Sequence, residues 1–99
     1  MKQLQDRRRV ARHSNAIPAV LDGASRAEIL DLSATGARVM LRAEEFFPNF
    51  ELRFQFKGCL VHAVCEAGWC ECTGEHLVCG VKFRQVSPGL ERSLRRPAA

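Results

Sequence analysis

Residues 50–57 leave little choice of fold class. Phe50, Leu52, Phe54 and Phe56 alternate without a break against Glu51, Arg53, Gln55 and Lys57. A repeat of two belongs to a strand with one dry face and one wet face, and it cannot form the apolar stripe of a helix. One strand cannot bury four large apolar side chains alone, so the rest of the chain must supply partners that close over them.

The remaining sequence offers such partners. Residues 16–21 are apolar enough for a first strand, with Pro18 restricting it to an edge or a strand start, and Asp22-Gly23 marks a turn. Residues 27–32 read as a second strand with Leu30 and Leu32 facing inward. Residues 37–42 read as a third, with Ala37, Val39 and Leu41 opposed to Arg38, Met40 and Arg42. Acids, a proline and an asparagine in residues 44–49 make a loop. After Lys57-Gly58, residues 59–67 put Val61, Ala63, Cys65 and Ala67 inward, and Gly68 suggests a bulge or break before residues 69–72. Thr73-Gly-Glu-His76 is a hairpin loop, and residues 77–84 return with Cys79, Val81 and Phe83 on one side. Ser87 can cap a short helix with Pro88 at its first position, Leu90 and Leu94 as its apolar stripe and Glu91 facing Arg95. These elements predict a mainly β protein: a small antiparallel barrel of six to seven strands with a short C-terminal helix.

Ninety-nine residues make one domain, read as a flexible basic arm over residues 1–15 and a barrel with its helix over residues 16–96. The net charge of +4 is concentrated in that arm: residues 1–13 hold Lys2, Arg7, Arg8, Arg9 and Arg12 against Asp6, and the rest is neutral. A uniformly basic surface would suggest nucleic acid; one short basic arm points to a small anion or a local patch. No run of eighteen apolar residues and no apolar leader is present, so a cytoplasmic protein without membrane insertion is expected. Five cysteines form no regular framework, which predicts reduced thiols. Cys65, Cys70, Cys72 and Cys79 with His62 and His76 include the ligand types of a zinc site, but no CxxC pair occurs, and core packing is the favoured role. No nucleophile motif or phosphate-binding glycine loop is found, so neither enzyme activity nor a cofactor is expected.

The arginine run Arg7, Arg8, Arg9 and Arg12 precedes a second polar stretch, Asp31-Leu-Ser-Ala-Thr-Gly36. Asp31 and Ser33 share the outer face of their strand. Gly36 fits a turn with positive φ, or a place where a ligand approaches bare backbone. The two stretches together could close over one anionic ligand.

Their order resembles the PilZ family, whose members bind cyclic di-GMP. That family pairs an Arg-x-x-x-Arg arm with an [Asp/Asn]-x-Ser-x-x-Gly turn at the edge of a small β-barrel. Arg8 to Arg12 matches the first half, Asp31 to Gly36 the second, and Cys79-Gly-Val-Lys-Phe83 looks like the Gly-Val-x-Phe strand that closes the barrel. The resemblance implies a bacterial second-messenger receptor of single-domain type, a monomer or weak dimer that signals to a downstream protein. It makes Arg8, Arg12, Asp31, Ser33 and Gly36 the ligand residues, with Arg7 and Arg9 as helpers; Arg7, just before the motif, suggests two ligands per protomer. Trp69 could stack on a base, although a lone tryptophan in a small barrel is more often core. Two alternatives stay open: a PilZ-like protein-interaction adaptor that binds no nucleotide, and an arm that binds nucleic acid.

Overall fold

The computed structural model describes residues 12–13 and 15–95. Its elements are β1 (Arg12–His13), β2 (Ile17–Leu21), β3 (Ser25–Ser33), β4 (Gly36–Arg42), β5 (Asn49–Phe56), β6 (Cys59–Thr73), β7 (His76–Val86) and α1 (Leu90–Arg95), with a 3₁₀ turn at Ala43–Glu45. Strands make up most of the described residues. Six of them close a barrel of antiparallel pairs in the ring order β2, β3, β4, β7, β6, β5 and back to β2. Closure leaves no long exposed edge in the ring. β1 adds to β3 on the edge that β2 also uses, pairing Arg12 with Ser33 and His13 with Leu32. Arg12–His13 and Ile17–Leu21 therefore share a single edge of β3. No helix among the described residues is long and apolar enough to cross a membrane.

The alternating strand behaves as its sequence requires: Phe50, Leu52, Phe54 and Phe56 are buried and the residues between them are exposed. Ile17, Ala19, Leu21, Val39, Leu41, Val61, Ala63, Cys65, Cys79 and Val81 complete the barrel interior with them. β3 departs from simple alternation. Ile29 and Leu32 are the buried residues, and Leu30 is only half-buried, because Ile29 pairs with Val39 while Asp31 pairs with Arg38. Leu30 is thus the extra residue of a β-bulge, which corrects its expected inward placement.

At the C-terminus Leu90 and Leu94 pack into the core, and Arg95 bonds Glu91 at 3.0 Å. Lys57 donates to the Ser93 carbonyl at 2.9 Å, tying the end of α1 to the β5–β6 turn. The helix begins at Leu90, and Ser87 does not cap it. The Ser87 hydroxyl instead accepts from the His62 amide at 2.8 Å and donates to the His62 carbonyl at 3.2 Å, a clip onto β6.

The expectation of reduced thiols fails at one pair. Cys70 and Cys79 are directly opposite in the β6–β7 hairpin, with Cα atoms 4.1 Å apart, and form a disulfide. Cys59, Cys65 and Cys72 are free. Burial pushes the Cys65 thiol up to about 12, with the negative charge of Asp22 adding to it, so this group stays protonated and inert.

Candidate ligand-binding site

The β3–β4 connection shows how a short polar turn becomes a site. Its two turn residues, Ala34 and Thr35, join Ser33 to Gly36. The Ser33 hydroxyl accepts from the Thr35 amide at 3.3 Å and donates to the Gly36 carbonyl at 3.2 Å. Such local bonds are what serine offers a turn. Ser33 therefore holds the turn in shape. The Phe83 amide donates to the Thr35 carbonyl at 2.9 Å and fastens the turn to β7. Gly36 has no positive φ, contrary to one of the two expectations for it. A Cβ there would run into the Val81 carbonyl, so glycine is required by the close approach of β7.

Counting outward from the turn, Ser33 is followed on β3 by Leu32, opposite Ala37, and then by Asp31, opposite Arg38. Arg38 is opposite Gly80 on β7, and Gly80 is opposite Trp69 on β6. A row of four residues thus crosses four strands: carboxylate, guanidinium, bare backbone, indole. Bulges bound the row at both ends, since Leu30 is the extra residue before Asp31 and Gly68 the extra residue before Trp69. Bulges re-aim the side chains beside them and are common near binding sites.

Trp69 is not core. It is 51% exposed and lies across Gly80, where a Cβ would collide with the indole ring. The missing side chain at Gly80 lets the ring lie against the sheet, with its other face open.

An open cleft of about 490 Å³ lies over this row, lined by Asp31, Ser33, Gly36, Arg38, Trp69 and Lys82 among others. The volume is within the usual range for small-molecule sites. One Asp31 oxygen, Oδ1, is out of contact with solvent. Two cations against one carboxylate favour an anionic guest. The structure thus brings together Asp31, Ser33, Gly36 and Trp69. Arg12 joins them through its backbone, paired with Ser33. Arg7, Arg8 and Arg9 lie outside the described residues.

Sequence reasoning missed Arg38, Lys82 and Gly80. A signal for Arg38 was present, because a two-residue turn at Ala34-Thr35 sets Asp31 against Arg38 by counting alone. The Gly74-Glu75 turn likewise sets Trp69 against Gly80. Lys82 carried no such signal, since it reaches the cleft through the pairing of β4 with β7, which are distant in sequence.

No curated protein is matched by the sequence. A family model does match: over residues 3–97, nearly the whole chain and including the Asp31–Gly36 turn, the match is to the PilZ domain, and the chain belongs to that family.

Proposed function

We propose that this chain is a receptor for cyclic di-GMP that binds in the cleft over β3, β4, β7 and β6 and signals through a protein partner. The observation that carries this reading is the gathering of Asp31, Ser33, Gly36 and Trp69 around one cleft, with the backbone of Arg12 paired beside Ser33. PilZ domains are receptor domains rather than enzymes, which supports the same conclusion.

The ligand has two phosphates and two guanine edges. Arginine forks can meet either, and a good bidentate contact to guanine is worth about 1–3 kcal/mol. Asp31 can accept from the N1–H and N2–H donors of guanine, which provides selectivity for the base that phosphate contacts lack. The open face of Trp69 offers a stacking surface, worth about 1–3 kcal/mol per base. Ser33 and Gly36 keep the hairpin closed so that Asp31 and Arg38 stay on the cleft side. Arg8 and Arg12 would close over the ligand from the arm, with Arg7 and Arg9 beside them, and the arm's new position would be the signal.

Calorimetric titration with cyclic di-GMP tests this, with cyclic di-AMP and GTP as controls. Selective binding is expected, weakened markedly by each of Arg8→Ala, Arg12→Ala and Asp31→Ala with the fold intact. Unchanged affinity in all three variants would remove the proposed site. Absence of any heat or thermal shift would favour the adaptor alternative.

A further inference from the structure

The β2–β5 pair lies across the ring from the β4–β7 pair that floors the ligand cleft. Its outer face carries a second cleft of about 850 Å³, which shares no lining residue with the first. The pairing registers put Arg26 opposite Val20 and Val20 opposite Arg53, so an aliphatic side chain sits between two guanidinium-bearing residues. Pro18 and Leu60 extend the apolar part. Val20 is 42% and Leu60 68% exposed, in a domain where most large apolar side chains are buried.

The two arginines are available. Arg42, Arg84 and Arg95 each hold a carboxylate, at 3.1, 2.7 and 3.0 Å. Arg26 and Arg53 are exposed and have no such partner among the described residues. Nearby acids are engaged or lie outside the cleft lining: Glu51 bonds His62 at 3.0 Å, Asp22 accepts from the Glu51 amide at 2.9 Å, and Glu28 does not line the cleft. Apolar centres flanked by arginine are typical of protein interfaces.

We propose that this face docks an acidic, apolar segment of a partner protein. Its carboxylates meet Arg26 and Arg53, which are two strand spacings, about 10 Å, apart. Between them an aliphatic side chain seats against Val20, Pro18 and Leu60. The docking site stands whether or not the other cleft binds a dinucleotide.

The test uses the isotope-labelled full chain and a short synthetic peptide of Glu, Asp and Leu, with a Lys/Leu peptide of the same length as control. The acidic peptide is expected to shift the amide resonances of Val20, Arg26, Arg53 and Leu60. The double variant R26E/R53E is expected to weaken it by about tenfold or more. Arg26→Gln with Arg53→Gln serves as a milder pair, whose fold is checked by circular dichroism. Equal binding of the lysine peptide, or shifts confined to other faces, would overturn the proposal. Binding to phosphatidylglycerol vesicles that is tighter than to the peptide, and lost in R26E/R53E, would also overturn it, in favour of a lipid surface.

Discussion

Two outer faces of one barrel differ in a single structural respect. Across β3, β2 and β5 the pairing is regular: Arg26, Val20 and Arg53 follow one another in an unshifted register that continues to His62 on β6. Across β3, β4, β7 and β6 an extra residue interrupts the ladder at each end, and the row between holds Asp31, Arg38, Gly80 and Trp69. Both faces alternate in and out. The first has the composition of a contact surface, and the second has a carboxylate and an indole aimed across a gap left by a glycine. Both faces are concave, and what the interrupted pairing adds is a carboxylate and an indole set beside bulges at the two ends of one row.

The largest effect should come from the regular side. Leu52 is fully buried at the centre of β5, and Leu52→Ala is expected to lose about 2–5 kcal/mol in urea unfolding, with ligand affinity of the folded fraction unchanged. Next is Gly36→Ala, whose Cβ meets a backbone carbonyl that cannot rotate away; a loss of about 1–3 kcal/mol is expected from the same measurement. Asp31→Ala should separate the two faces most sharply. Circular dichroism is expected to show the fold kept, while calorimetry shows cyclic di-GMP weakened by about 10- to 100-fold. Gly80→Ala acts on the other end of the row by displacing the indole. Trp69 is the only tryptophan, so a shift in its emission and a fall in affinity of about tenfold would report the same event.

The smallest effect concerns the thiols. Alkylation of the native protein should label Cys59 and Cys72, unfolding should add Cys65, and reduction should add Cys70 and Cys79. Cys65 also sets a sign for alkaline pH. Its folded thiol stays protonated to about 12 while the unfolded one ionises near 9.0, so its contribution to stability is intact below that value and declines as pH rises between them.

The barrel was legible because Phe50 to Phe56 announce a strand, and the glycine-containing turns after Leu21, Phe56 and Thr73 fall where the chain reverses. Asp31 and Ser33 were legible as partners because alternation puts them on one face. What escaped lay in how the strands pair. Lys82 reaches the cleft only because β4 pairs with β7, and the alternation of β3 was misplaced at Leu30 because a bulge has no sequence mark there. Trp69 looked like core material until its pairing with Gly80 gave it an outer surface to cover. Ser87 had the identity of a helix cap, and a nearby strand competed for it more successfully.

The bulge at Leu30 also has an engineering meaning. Arg26 and Glu28 point outward before it, and Asp31 and Ser33 after it, so the direction is kept only because one residue is uncounted. Deleting Leu30 would preserve the direction of every other side chain in β3 and its register with β4, because Ile29 and Asp31 already pair with the adjacent residues Val39 and Arg38. Composition and curvature could then be varied separately, with the same chemical groups presented on a straighter strand.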